Sequence, residues 1–293
     1  KSFLISIKLM IKKIFKKLKY NPYEIADALV IDLINFYELI DFYIKKILGK
    51  YSFLKKNVLL KNAHINKRIF LLGNGPSLNA FDIKKMKDEI VIMVNRSFDH
   101  PSYEIIKPKY HIIIDSKLAD GTWPLEYLDI IYKKNPNVNL LLNAKWYHLE
   151  KFSKYRNKDN IFWIKHNSIS LIFNNFNSDL STIYSSGISV TEQGLNLGVY
   201  LGCKKIYILG VELNGIAYLM SGNDSHFSGK DPNYNDHKSW NYARDMNTSS
   251  RSIRQWHKLS EKCKIENIEL VNLTNTGLLD FIPYENPDDL FDR

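Results

Sequence analysis

The sequence predicts an α/β protein with a mainly parallel sheet and a helical amino-terminal extension. Short runs rich in Ile, Val and Leu recur without strict polar alternation, which is typical of strands buried on both faces. Segments with helical spacing separate these runs. With 293 residues and 45% hydrophobic content, the chain is long enough for one large domain plus an appendage. The predicted strands are Ile69–Leu72, Ile90–Val94, Tyr110–Ile114, Val138–Leu142, Ile161–Ile164, Ile206–Leu209 and Ile268–Leu273.

Residues 1–60 are predicted to form the helical extension, and residues 61–293 the α/β domain. Residues 1–19 contain seven lysines and no acidic residue, with apolar side chains between the lysines at helical spacing. This basic amphipathic pattern predicts that residues 1–20 attach peripherally to an anionic membrane surface. The alternative is a helix packed on the domain with its lysines in solvent. Helix continues over residues 22–60, with Gly49 as its stop.

The net charge of +10 is compatible with binding to nucleic acid or to an anionic membrane. Because the densest basic run is terminal and amphipathic, the membrane is favoured and nucleic acid is disfavoured. Cys203 and Cys263 lie far apart without a CxxC pair, which argues against a zinc ribbon and a disulfide framework. We therefore expect a cytoplasmic protein that is peripheral at the inner membrane face. The oligomeric state, including a homo-oligomer, is left open.

The first strand ends in the glycine-rich turn Gly73-Asn74-Gly75-Pro76-Ser77. Its two glycines allow close backbone approach to a ligand, and Phe81 to Lys87 can begin a helix whose free N–H groups favour an anion. A phosphate site is predicted here. Leu78 replaces the third glycine of a dinucleotide fingerprint and no Walker A lysine follows, so NAD and ordinary P-loop chemistry are disfavoured. A tight turn without a ligand is the alternative.

Small and polar residues also follow the other strands, where ligands of parallel sheets bind. They are Asn95, Asp115 and Ser116, Asn143, and Gly210 to Glu212. Ser186 and Gly187 precede a helical pattern and either contact phosphate or belong to a plain serine cap. Asp115 and Ser116 lack the second aspartate of a DxD motif, which favours a metal-independent reaction without a cofactor.

The stretch 214–247 is the longest without a clear element, and we expect it to form a lid or acceptor loop. It contains His226, a candidate general base because imidazole titrates near neutral pH. A solvent-exposed or capping histidine is the alternative. The acidic and histidine residues of this stretch match no metal-ligand spacing; they are Asp224, His226, Asp231, Asp236 and His237. Aromatic residues that could stack on a sugar are Tyr234, Trp240 and Tyr242.

Taken in order, these motifs resemble those of the bacterial sialyltransferases of glycosyltransferase family 42 over roughly residues 67–283. The resemblance rests on Gly73 to Leu78, Asn95, Ser186-Gly187, Ile206 to Glu212, Tyr218, Asn223 to Phe227, and the closing segment Leu273 to Pro283. The opening turn also resembles a broader set of bacterial proteins, including flagellin glycosyltransferase-like and hydroxymethylpterin pyrophosphokinase-like domains.

The resemblance implies a Rossmann-like, GT-A-type domain that uses a CMP-activated nonulosonic acid as donor, without metal and with inversion. The acceptor would be a hydroxyl of a bacterial surface glycan or glycolipid, in lipopolysaccharide or capsule synthesis. It implies nucleotide contacts for Asn74 and Asn95, and a donor-site role for Ser186. Tyr218 would lie near the leaving phosphate, and His226 would be the base.

Two positions depart from the family pattern: Ile183 replaces an arginine, and Asn214 replaces a second tyrosine. An ATP- and magnesium-dependent pyrophosphokinase-like enzyme and a noncatalytic, membrane-recruited binder stay as alternatives. The catalytic candidates are His226 and Tyr218. The candidate substrate-binding residues are Gly73, Asn74, Gly75, Pro76, Ser77, Asn95, Asp115, Ser116, Ser186, Gly187, Gly210, Glu212 and Asn214.

Overall fold

A computed structural model describes residues 21–170, 176–229 and 239–291. The basic segment 1–20 lies outside the described residues, as do residues 230–238. Within the described part, no helix is long and apolar enough to cross a membrane.

One eight-stranded sheet forms the centre of the protein, and every strand pair in it is parallel. The strand order is β6-β5-β4-β3-β2-β1-β7-β8. The predicted class, α/β with a mainly parallel, Rossmann-like sheet, is therefore confirmed. The strands are β1 (Arg68–Leu72), β2 (Val91–Val94), β3 (Tyr110–Ile113), β4 (Asn139–Asn143), β5 (Ile161–Ser168), β6 (Ile183–Ser186), β7 (Lys205–Leu209) and β8 (Glu269–Asn272).

Helices cover both faces of the sheet. The α-helices are α1 (Pro22–Ile47), α2 (Tyr103–Ile106), α3 (Ser116–Asp120), α4 (Tyr127–Lys134), α5 (Val190–Tyr200), α6 (Gly215–Met220) and α7 (Ser239–Ile265). Short 3₁₀ segments are Ser52–Leu60, Pro76–Ala80, Ile83–Met86, Asn95–Asp99, Ala144–Trp146, Glu150–Tyr155 and Asp288–Leu290.

The strands are buried on both faces, and their side chains contribute to two separate hydrophobic cores. Phe70 and Leu72 of β1 belong to the core under α1 to α4, whereas Ile69 and Leu71 belong to the core under α5 and α7. Helix α5 lies close to the sheet because Gly194 faces Leu71, where a Cβ would come within 2.3 Å of a Leu71 methyl carbon.

Helix α1 begins with a capping box, in which Asn21 accepts from the N–H of Glu24 and Glu24 accepts from the N–H of Asn21. It ends at Ile47, and Gly49 adopts a φ of +76°, the left-handed conformation that terminates helices. Ala28, Ile31 and Phe42 are the buried residues that attach it to the body.

Three local predictions differ from the structure. The helix expected over Phe81 to Lys87 is replaced by the single 3₁₀ turn Ile83–Met86, because Phe81 is extended and Asp82 caps this short turn. Strand β6 was not predicted, since only Ile183 and Tyr184 in it are large and apolar. The expected loop 214–247 contains α6 and the start of α7.

The strand order places a topological switch between β1 and β7. Strands β1 to β6 step in one direction, and β7 then returns to the other side of β1. In open parallel sheets, ligands bind in the crevice outside the carboxyl ends of the strands at such a switch. The turn after β1 and the loop after β7 therefore define the candidate site.

Candidate functional site

The turn after β1 and the loop after β7 lie in direct backbone contact. The N–H of Gly73 donates to the carbonyl of Leu209 at 2.8 Å, and the N–H of Gly75 donates to that of Gly210 at 2.9 Å. A Cβ on Gly73 would lie 2.2 Å from the Gly210 oxygen, and Gly210 has a φ of +75°. Glycine is required at both positions because the two backbone segments approach each other this closely.

A buried carboxylate from the β7 loop occupies the glycine-rich turn. Glu212 is only 4% exposed, and its Oε1 accepts a hydrogen bond from the N–H of Ser77 at 2.9 Å. A Cβ on Gly75 would lie 1.5 Å from its Oε2. The Ser77 amide is thus bonded to the protein's own anion, and a phosphate could reach this amide only by displacing Glu212.

The segment after β8 closes the other side of the crevice. The Thr274 Oγ1 accepts from the N–H of Gly210 at 3.0 Å and lies 3.2 Å from the Ser77 Oγ. The N–H of Leu278 donates to the carbonyl of Glu212 at 2.8 Å. Thr274 was not among the predicted site residues, although its position directly after the predicted strand Ile268–Leu273 was the available signal.

Asn95, at the end of β2, is held in a left-handed conformation with a φ of +45°. Its carbonyl accepts a hydrogen bond from Nε2 of the buried His111 at 2.8 Å, and the Tyr103 hydroxyl donates to Nδ1 of the same ring at 3.0 Å. Burial lowers the pKa of His111 to about 4, so the imidazole is neutral and keeps this tautomer. Sequence reasoning missed His111; the signal was a histidine within an apolar strand.

The side-chain oxygens of three asparagines at this edge lack hydrogen-bond donors. Among the described residues, the Oδ1 atoms of Asn74, Asn95 and Asn214 are buried and accept no hydrogen bond. These residues follow β1, β2 and β7, which are adjacent in the sheet. Buried polar atoms normally find partners, so the three oxygens favour a ligand that supplies donors, such as hydroxyl or amino groups.

The segment that contains His226 borders the same turn. The N–H of Phe227 donates to the carbonyl of Asn74 at 2.9 Å, and the Asn79 side chain donates to the Phe227 carbonyl at 3.0 Å. The His226 side chain is exposed. Tyr218 is half-buried on α6, and its carbonyl accepts from the N–H of Asn223 at 2.9 Å.

Ser186 is the last residue of β6 and Gly187 follows it, so neither residue caps α5. The Ser186 hydroxyl is buried and accepts from the Asn196 side chain at 2.9 Å. The helix cap is Ser189, which forms a capping box with Glu192. Burial raises the pKa of the Glu192 carboxyl to about 8. The serine that caps this helix is therefore Ser189 and not Ser186.

The loop after β6 also reaches the loop after β7. Ile188 and Ser189 line a cavity of about 210 Å³ together with Leu213 and Gly215. This cavity joins the Ser-Gly step to the β7 side of the crevice.

Asp115 and Ser116 lie at the end of β3, two strands from β1. The Asp115 carboxylate caps α3 by accepting from the N–H of Lys117 at 3.0 Å. Over residues 21–170, 176–229 and 239–291, no group of three or more His, Cys, Asp and Glu side chains is placed to hold a metal ion. Asp231, Asp236 and His237 lie outside that part of the chain.

Comparisons with known proteins give a family and several structural neighbours. The model of the family described as "MptE-like: 6-hydroxymethylpterin diphosphokinase MptE-like" matches residues 42–216. A search of curated proteins found no match.

The structural neighbours include sialyltransferases of Campylobacter jejuni. The sialyltransferase CstII in complex with cytidine-5'-monophosphate has a TM-score of 0.43 and 19% identity, covering 76% of this chain and 86% of that one. CstII with CMP-3FNeuAc has a TM-score of 0.43 and 18% identity, covering 74% and 86%. An apo alpha-2,3-sialyltransferase has a TM-score of 0.33 and 14% identity, covering 77% and 84%.

Proposed function

The chain belongs to the MptE-like family, and from that premise we propose that it is a transferase whose crevice between β1 and β7 binds a nucleotide-activated substrate. The three unpaired Oδ1 atoms support this proposal, because ribose hydroxyls and a base amino group are donors of the kind that buried oxygens lack. Asn74 and Asn95 are the proposed nucleotide contacts. No resident cofactor is needed, since the donor itself is activated.

The finer proposal is transfer of a nonulosonic acid from a CMP donor to a glycan hydroxyl. The observation that carries it is the hydrogen bond from the N–H of Phe227 to the carbonyl of Asn74, which keeps the segment of His226 beside the proposed nucleotide contact. A general base that acts in glycosyl transfer must lie next to the donor. The acceptor proposed from the motif order is a bacterial surface glycan or glycolipid.

The proposed step is a single displacement. The acceptor oxygen forms a bond to the anomeric carbon while the bond from that carbon to the CMP phosphate oxygen breaks. The acceptor proton passes to the His226 imidazole, and CMP leaves as the anion. The Tyr218 hydroxyl donates to the departing phosphate, which lowers the barrier without a metal ion.

A second candidate is favoured by the description of the family. A 6-hydroxymethylpterin diphosphokinase-like enzyme would bind ATP with magnesium and move a pyrophosphoryl group to a hydroxyl. Its nucleotide would lie in the same crevice. The two candidates therefore differ in the nucleobase, in the number of phosphate groups on the nucleotide and in the need for magnesium.

Calorimetric titration of the purified chain separates the candidates. The ligands are CMP, UMP, GDP and ATP, each with and without magnesium. Selective, magnesium-independent binding of CMP supports the glycosyltransferase. Preference for ATP with magnesium supports the diphosphokinase, and absence of nucleotide binding contradicts both and favours a noncatalytic binder.

A further inference from the structure

Helix α1 directs three acidic side chains toward the body of the protein. Asp27 pairs with Arg251, and Glu24 pairs with Arg254 at 3.1 Å. Glu38 pairs with the buried Lys165. An ordinary surface helix has the reverse arrangement, with its charges in solvent.

The outer face of α1 is apolar along most of its length. From residue 26 to residue 44, every exposed position of the helix carries an apolar or tyrosine side chain. Leu33 is 70% exposed and Tyr37 is 69% exposed. The outer face comprises Ala26, Leu29, Val30, Leu33, Ile34, Phe36, Tyr37, Ile40, Tyr43 and Ile44. A contiguous exposed apolar surface of this extent marks an interaction site.

The width of the outer face favours lipid over a second helix. Val30, Leu33 and Ile40 belong to a 3-4 spaced seam of the kind that a coiled coil uses. A further row, which includes Leu29 and Phe36, widens the face beyond that seam, and no exposed charged residue flanks it between positions 26 and 44. Coiled coils usually carry charges at those flanks. A broad apolar face with aromatic side chains is typical of helices that lie in a membrane interface.

Basic residues flank α1 in the sequence on both sides. Lys46 and Lys50 are exposed just beyond Ile44, and in the sequence residues 1–19 contribute seven lysines without an acid. Lysines next to an apolar face add electrostatic attraction to anionic lipid headgroups. We propose that the outer face of α1 lies in the headgroup region of an anionic membrane.

The attachment of α1 fixes which edge of the sheet meets the lipid. The Asn35 side chain donates to the carbonyl of Ser168 at 2.7 Å and accepts from its N–H at 3.1 Å. Ser168 is the last residue of β5. The membrane-bound helix therefore lies at the carboxyl edge of the sheet, the edge that carries the candidate site.

Vesicle flotation of the full chain tests this proposal. The vesicles are phosphatidylcholine alone or phosphatidylcholine mixed with phosphatidylglycerol. The variant is Leu33→Glu with Ile40→Glu, and the matched control is Ile105→Glu with Ile265→Glu, two exposed isoleucines outside α1. We expect the wild type and the control to float with the anionic vesicles, and the α1 variant to bind at least about tenfold more weakly. Equal flotation of the α1 variant overturns the proposal.

Two further measurements identify any other occupant of the face. If the α1 substitutions split an oligomer in size-exclusion chromatography with light scattering while flotation persists, a second copy covers the face and the proposal fails. The reaction of a maleimide with the thiol introduced by Leu33→Cys is informative because Cys203 and Cys263 are buried. Fast labelling that anionic vesicles slow supports the proposal. Slow labelling of the monomer without vesicles overturns it, because the chain's own residues then cover the face.

Discussion

The carboxylate of Glu212 accepts a hydrogen bond from the backbone N–H of Ser77 at 2.9 Å. The carbonyl of Glu212 accepts another from the N–H of Leu278 at 2.8 Å. One residue after β7 thus ties the turn after β1 to the segment after β8. The geometry of the crevice depends on this residue, although it belongs to none of the three strands.

Substitution of Gly75 should reveal this dependence. The φ of Gly75 is −68°, which alanine also adopts, so Gly75→Ala acts only through the clash of its Cβ with the Glu212 carboxylate. We expect a loss of about 1–3 kcal/mol in the free energy of unfolding. Glu212→Ala should cost a similar amount because it leaves the Ser77 N–H unsatisfied. In urea unfolding, the double variant should cost less than the sum; strict additivity would contradict the contact.

Removal of an unpaired asparagine oxygen should affect ligand binding more than stability. We expect Asn74→Ala to weaken CMP binding by about tenfold, because it removes an acceptor that the ligand would satisfy. The control is Asn57→Ala. The Asn57 side chain donates to the carbonyls of Trp163 and Leu180, both at 2.7 Å, so its loss should lower stability by about 1–3 kcal/mol. Calorimetry and urea unfolding give both quantities, and unchanged CMP affinity in Asn74→Ala would remove this residue from the site.

His226→Ala should separate transfer from donor binding. If the imidazole takes the acceptor proton, its loss should slow transfer by about 10²- to 10⁴-fold while CMP affinity stays nearly the same. His148→Ala is a suitable control. His148 is exposed, and its Nε2 donates to the carbonyl of Lys50 at 3.0 Å. CMP release from the donor in the presence of acceptor measures the rate. Full turnover in His226→Ala would eliminate this base.

His111 should make stability fall in mild acid. Burial lowers the pKa of His111 to about 4, whereas the unfolded side chain titrates near its ordinary value of 6.5. Between these values the unfolded chain binds the extra proton, so stability rises with pH. Between about pH 7 and pH 5, the free energy of unfolding should fall by about 2 kcal/mol less in His111→Gln than in the wild type. Urea unfolding at both values measures this, and an unchanged pH slope would show that the imidazole is not held neutral.

The same variant should also affect the site. His111 is a positioning residue for the left-handed Asn95, since its Nε2 donates to the Asn95 carbonyl. We expect weaker CMP binding by His111→Gln even at pH 7, where stability is nearly unaffected by the titration. Wild-type affinity in that variant would mean that Asn95 keeps its conformation without the imidazole.

Most of the sheet was predictable because strand burial leaves a direct trace in composition. All seven predicted runs correspond to strands, since each is short and rich in Ile, Val and Leu without strict polar alternation. Strand β6 was missed because Ser185 and Ser186 make half of it polar. The 3₁₀ turn Ile83–Met86 was missed because its start depends on the side-chain cap that Asp82 provides.

The grouping of the candidate residues at one edge of the sheet was predictable, whereas the hydrogen bonds between them were not. Polar residues at strand ends were predicted to share one edge, because the carboxyl ends of parallel strands lie at the same edge of the sheet, and the structure groups them there. The contact of Glu212 with Ser77 joins positions 135 residues apart, and no local pattern encodes such a pairing. The role of His111 was hidden for the same reason, since its partner Asn95 follows the neighbouring strand β2.

The late position of β7 in the chain has a consequence for the order of folding. Ser77 contacts Glu212 and Thr274, the latter 197 residues downstream of it, so the crevice has only its β1 wall until the last third of the chain has docked beside β1. Strands β1 to β6 are adjacent to their sequence neighbours and can pair as they emerge during synthesis, whereas the site requires a long-range closure. A nascent chain that stops before β7 therefore holds most of the sheet but only the β1 and β2 side of the site.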